Sequence, residues 1–382
     1  MATRDSFDFV DNHFYWDHPS FLGTSWGLPS TGWSGNSSAV AAGGAGPDAV
    51  AMTRLYGKPF TVSEWDYVFP NRFRAEGGLI MGAVSALQDW DAIWRFAYSH
   101  GRDSVIAPRP ADYFNMAQDP LRQASERTGI LLFLRGDVKV AKNTVVAGVD
   151  PKELTRTGNV LPKLPNYRSI TQITRTGVLL KSGGDKEFGD TSDTAVNALR
   201  TTGRLTGMNK SDGNLQRISD TQQMFLFGAD TLVALLTPMT QAIIAQETEN
   251  DSAHSTGDFT ANIQGTNAAI SVSSVDGKPV ASSKRLLLIH LTDLQNTNQK
   301  FSSSDRRVLE AWGELPYLVR RGSATVTLKR GDAAKLKAYR LDTTGKRVAP
   351  LAIKATKDSA VLELSTLAPD GSATLYYEVI AP

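Results

Sequence analysis

Three short runs end in side chains able to bind and polarise a hydroxylated substrate. Asp11-Asn12-His13-Phe14-Tyr15 sets an imidazole and a phenol two residues apart, on one face of an extended chain. Thr61-Val62-Ser63-Glu64-Trp65 brings a carboxylate to the end of an apolar run, and a third run ends on Tyr98-Ser99-His100. Donors such as His13 and Tyr15 beside Glu64 would keep it ionised, because hydrogen bonds to the charged form lower a carboxylate pKa. Trp16, Trp26 and Trp33 lie in a stretch rich in Gly, Ser and Pro, and Trp65, Trp94 and Tyr98 sit at or near the other two run ends. Their rings offer flat faces for sugar C–H groups, with indole N–H left to bond hydroxyls. Each has a plainer role open to it. Glu64 can serve as a cap or ion-pair member, His13 and Tyr15 as a satisfied buried pair, and the loop tryptophans as pins for a long excursion.

The elements that must position these groups read as follows. Phe7 to Tyr15 predicts a strand, then an irregular stretch runs from about Trp16 to Pro47. Asp48 is expected to cap a short helix from Ala49 to Leu55, followed by a buried strand from Lys58 to Glu64. The apolar spacing of Leu79, Ala83, Val84, Ala86 and Leu87 predicts a helix from Phe73, with a strand next from Asp91 to Ser99. Asp119-Pro120 opens another helix, cap then proline at its first position, running to about Arg135-Gly136. The alternation implies parallel strands with helical crossovers. Beyond Gly136 short β-rich runs separated by turns predict an antiparallel β-sandwich. The fold class is therefore α/β plus all-β, divided as 1–138, a mixed connecting segment 139–215, and a β-sandwich 216–382.

The chain has 382 residues, 41% of them hydrophobic, which is enough to bury a large core. Its 41 basic and 39 acidic residues nearly cancel, so no field draws in nucleic acid or an anionic membrane, and a neutral substrate fits better. Cysteine is absent, which removes thiolate chemistry. The five histidines show no metal-ligand spacing, and Gly43-Gly44-Ala45-Gly46 lacks the lysine and helix context of a phosphate loop, so neither metal nor cofactor is expected. Asp17, Asp66, Glu76, Asp89 and Asp91 are read as capping or solvated. Met1 to Asp8 is too short and polar for a signal peptide, and no run approaches the ~20 apolar residues of a membrane span.

Gly57-Lys58-Pro59-Phe60-Thr61-Val62-Ser63-Glu64-Trp65 resembles the seventh strand of clan A glycoside hydrolases, which closes on a glutamate nucleophile. Asp11 to Tyr15 is similar to the sixth strand of that clan, and Trp94 and Tyr98 fall where its eighth strand carries an aromatic floor for the sugar ring. Arg54 to Glu76, with Gln88-Asp89-Trp90-Asp91, looks like a group of large bacterial polysaccharide hydrolases that pair a (β/α)₈ barrel with C-terminal β-domains. The resemblance implies a retaining glycosidase with Glu64 as nucleophile, a carbohydrate substrate bound by His13, Tyr15, Trp16, Trp65, Trp94 and Tyr98, and an extracellular or periplasmic setting.

It also leaves a gap. The clan's acid/base glutamate follows an asparagine at the end of strand four, and no Asn-Glu pair precedes Glu64. Only three of the eight strands of a barrel are accounted for. Phe60, Val62, Ile93 and Phe96 would then need cover from residues 139–215, the β-domain or another chain, and association into a homo-oligomer is expected. A non-catalytic carbohydrate-binding or structural remnant is the alternative.

Overall fold

The computed structural model describes residues 2–149, 170–180, 209–211, 214–227 and 231–382. Its N-terminal part holds a three-stranded parallel sheet of β1 (Val10–Trp16), β2 (Phe60–Tyr67) and β3 (Ala92–Arg95), with β2 in the middle. The connections contain α1 (Pro47–Ala51) and α2 (Glu76–Leu87), and α3 (Pro120–Phe133) follows. The predicted strand starting at Phe7 begins instead at Val10, leaving Phe7 and Phe9 exposed, and the third strand stops at Arg95. Asp48 lies inside α1, where it accepts the Gly46 N–H; Gly46 itself is the cap residue. Asp119 caps α3 as expected, taking the N–H groups of Leu121 and Arg122.

All twelve residues of α2 are buried, which a helix achieves only when covered on every side. One cover is the apolar face of the parallel sheet, Phe60, Val62 and Trp65; a second is α3. The helices approach closely because glycines meet: a Cβ on Gly82 would stand 2.6 Å from the Gly129 carbonyl oxygen. Beyond them lies a ten-stranded sheet, antiparallel wherever its strands pair, to which Thr240–Ala245, Ala268–Ser274 and Arg285–Leu291 contribute central strands.

Alternate residues of that sheet face opposite ways. Ala242, Ile244, Ala269, Ile289 and Leu291 join the core containing α2 and α3. Ile243, Ile270, Val272, Leu286 and Leu288 join a second core with Phe259, Ile263, Val326, Leu328, Leu362 and Leu364 of a five-stranded antiparallel sheet. Both faces are thus buried, so every residue of Thr240–Ala245 and Ala268–Ser274 is buried rather than every second one. The molecule is β-rich, stacked as parallel sheet, helices, large sheet and small sheet. Phe60 and Val62, expected to need an external cover, are fully buried by the chain itself. Of the connecting segment, Thr144–Val149 and Arg175–Leu180 form a parallel pair; much of the remainder lies outside the described residues.

Candidate active site

A single irregularity decides where Glu64 points. Along β1 and β2 the register runs Val10↔Phe60, Asp11↔Thr61, Asn12↔Val62, then shifts so that His13 faces Glu64. Strict alternation would turn Glu64 inward with Phe60 and Val62. The extra residue puts Ser63 and Glu64 on the same side as Asp11, His13 and Tyr15, and sends Trp65 into the core.

On that polar face the Tyr15 hydroxyl donates to Glu64 Oε2 over 2.6 Å, and His13 Nδ1 lies 3.3 Å from the same oxygen. Burial, then the bond to Glu64, raises the Tyr15 pKa, so the phenol stays protonated and keeps donating. The other ring nitrogen, His13 Nε2, sits 3.0 Å from Ser63 Oγ and 3.3 Å from Asp11 Oδ2. Asp11 was not anticipated. Its carboxylate accepts from Thr61 Oγ1 at 2.6 Å, Ser63 Oγ at 2.5 Å and the Ser63 N–H at 3.0 Å. Burial acts to raise its pKa, but the hydrogen bonds from Ser63 and Thr61 outweigh it and hold Asp11 below the usual carboxylate range. An ionised Asp11 anchors His13 and is a poor proton donor.

Just past Glu64, Asp66 pairs with Arg95 at 2.7 Å and Arg122 at 2.5 Å; Arg122 continues to Asp119, which Arg74 meets at 2.6 Å. Arg74 also reaches Asp293 at 3.4 Å, and Asp293 pairs with Arg306 at 2.6 Å. The chain of charges therefore runs from the end of β2 to an arm at 292–320 that leaves the large sheet. The long 16–47 stretch is tied to the same arm. Val308 and Leu309 pair with Thr31 and Ser30, and Ser30–Gly32 pairs in turn with Pro19–Phe21. Asp17, buried, gathers the stretch by accepting from the N–H groups of Ser34 and Asn36 and from Asn71 Nδ2, so Gly32 must be glycine: a Cβ there would overlap the Asp17 carboxylate.

The other proposed binding residues separate into groups. Trp16 is half-buried and bonds Ser37 O through its indole N–H at 2.9 Å, anchoring the loop. Trp65 is buried, with the Arg95 guanidinium 4.7 Å from its ring, and is unavailable to a ligand. Trp94 and Tyr98 are more than half exposed, and among the described residues neither ring meets another aromatic ring. Instead the aromatic contacts converge on Tyr15 from Phe96, Phe114 and His18, and on His18 from Trp26 and Trp33. Phe96, Phe114 and Trp26 also line a cleft of about 720 Å³ with Tyr113 and Trp312. Phe114 and Trp312 carried no local signal, since they come from a loop and from the arm, far apart in sequence.

Among the described residues no group of three or more His, Cys, Asp or Glu side chains is placed to hold a metal ion, and no helix is long and apolar enough to cross a membrane. Compared with family models, curated proteins and solved structures, the chain matches none.

Proposed function

We propose that Glu64 is the nucleophile of a retaining glycoside hydrolase acting on a polysaccharide or oligosaccharide. The observation that carries this reading is the Tyr15 hydroxyl donating to Glu64 Oε2 at 2.6 Å, with His13 Nδ1 3.3 Å from the same oxygen, on the polar face of a parallel sheet. The phenol holds that oxygen in a fixed position, as attack on an anomeric carbon requires. The three parallel strands with their helices then correspond to strands six to eight of a (β/α)₈ barrel. A retaining site also needs a proton donor about 5–5.5 Å from the nucleophile. Asp11 is held ionised and Asp66 is locked between two arginines, so the acid comes from elsewhere.

Homo-oligomer formation belongs to the same proposal. β1 and β3 end the sheet without further strand partners among the described residues, and Trp94, Tyr98, Val105 and Ile106 are exposed on or after β3. Sedimentation at micromolar concentration should give a mass above the 41.4 kDa monomer; a clean monomer removes association. The hydrolase reading is tested by incubating the protein with activated 2-deoxy-2-fluoro-glycosides and mapping the adduct by mass spectrometry. A glycosyl group on Glu64, absent from Glu64→Gln, supports nucleophilic catalysis. Sugar binding without any adduct favours the second reading, a non-catalytic carbohydrate-binding remnant, which is supported by the engagement of Asp11 with Ser63 and Thr61 and of Asp66 with two arginines.

A further inference from the structure

We propose that the C-terminal β-rich region supplies part of the ligand site: its arm at 292–320 places Trp312 in the aromatic cleft beside Tyr15, and this cleft takes neutral pyranose units of an oligosaccharide. The inference rests on the hydrolase reading for its position next to Glu64, while sugar binding in the cleft stands or falls by itself.

The cleft has the size of a small-molecule site, about 720 Å³. Trp26, Phe96, Tyr113, Phe114 and Trp312 give it apolar walls, and His100, Asn115 and Gln118 give it groups able to bond hydroxyls. That combination suits a sugar ring, whose C–H faces are apolar and whose rim is polar. The charges in the lining do not favour an anion. Arg109 pairs with Asp103 at 3.0 Å, and Asp112 accepts the N–H and Nδ2 of Asn115 at 2.9 and 2.7 Å. The arginine is thus already paired and the Asp112 carboxylate would repel a uronate or sulfate, so a neutral sugar is the occupant.

The walls are held in place before any ligand arrives. Asn296 of the arm accepts the Ala111 N–H at 2.8 Å and donates to the carbonyls of Ala111 and Trp312, both at 2.9 Å, clamping the two sides together. Tyr317 of the arm donates to Arg109 O at 2.6 Å. Preformed walls lower the ordering cost of binding. Trp26 stands at the rim 62% exposed with φ at 62°, a conformation that costs a bulky residue energy and leaves its apolar face in water. Stacking on a sugar would cover the exposed part of that ring. Phe96 and Phe114 lie edge-on to Tyr15 at 6.2 and 5.3 Å between ring centres, which joins the cleft to Glu64.

The experiment is titration of the intact chain with cellohexaose, xylohexaose and mannohexaose, and with a hexagalacturonate as charged control, read by tryptophan fluorescence and calorimetry. Trp26→Ala and Trp312→Phe are compared with the wild type; the phenylalanine still packs against Tyr113, and melting temperatures check folding. Saturable binding of at least one neutral hexamer, weakened about 3- to 10-fold in each variant, is expected, with weaker binding of the galacturonate. Failure of all three neutral hexamers to bind, or equal affinity in both variants, overturns the proposal. The two readings fail separately. Binding through Trp26 and Trp312 without a covalent adduct on Glu64 keeps the subsite and removes the hydrolase. An adduct on Glu64 with unchanged affinity in both variants does the reverse.

Discussion

Tyr15 donates to Glu64 across the β1–β2 strand pair over 2.6 Å, from a position that β2 reaches only through its bulge. The bond is charge-assisted and partly buried, the kind that contributes roughly 1.5–3 kcal/mol. Tyr15→Phe removes it and keeps the ring that packs against Phe96 and Phe114. Trapping of Glu64 by fluoroglycosides should slow by about 10- to 100-fold, with the melting temperature shifted by no more than a few degrees. An unchanged trapping rate would show that the phenol does not sustain the carboxylate.

Two buried groups give stability opposite dependences on pH. Glu76 is enclosed with bonds from Ser38 Oγ, the Val40 N–H and Gln246 Nε2, and burial raises its pKa to about 7 from an ordinary 4.5. Between those values the folded chain keeps a proton that the unfolded chain has lost, so stability declines as pH rises through the window. Among the described residues His290 has no hydrogen-bond partner for either ring nitrogen, and burial lowers its pKa from 6.5 to about 4. There the unfolded chain binds the extra proton, so stability declines as pH falls from 6.5 towards 4. Each contribution reaches up to about 3 kcal/mol, and they offset each other in the wild type. Urea unfolding from pH 4.5 to 7.5 should show Glu76→Gln losing stability towards acid and His290→Leu losing it towards neutrality. Parallel profiles for the wild type and both variants would refute the assignment.

Asp119 neutralises two buried guanidinium groups, Arg74 and Arg122. Burial alone would raise its pKa, but the two arginines bring it down to about 2. Asp119→Ala leaves both cations underpaired and removes the α3 cap, so unfolding free energy should drop by about 3–5 kcal/mol. Since Arg74 also holds Asp293 and the Leu294 carbonyl at the root of the arm, hydrogen exchange at residues 294–297 should accelerate with it. A loss under 1 kcal/mol would mean that the ion network is dispensable.

The large sheet needs the helices as much as they need it. Ile244, Ile289 and Leu291 would face water in a fragment covering residues 216–382 alone, a contiguous apolar surface of the kind that drives aggregation. Expressed separately, that fragment should be insoluble or bind hydrophobic dyes strongly, and co-expression with 1–215 should rescue it. A soluble, cooperatively folding fragment would show that the two regions are independent domains.

Local physics settled a good deal of this molecule in the sequence itself. The alternation of apolar runs and helical stripes specified parallel β1–β3 with α2 between, Asp119-Pro120 specified where α3 starts, and the short β-rich runs separated by turns beyond Gly136 specified antiparallel strands. These features depend on neighbours a few residues apart, so they are legible in order along the chain. Face and partner were decided by the tertiary structure. The bulge that turns Glu64 towards Tyr15 and buries Trp65 is a matter of register between strands some fifty residues apart, and alternation alone points the other way. The pairing of Ser30–Gly32 with Val308–Ala311, and the meeting of Trp26, Phe114 and Trp312 in one cleft, depend on contacts across most of the chain length. No local propensity encodes them, because the free energy that selects them is gained only when distant surfaces pack together.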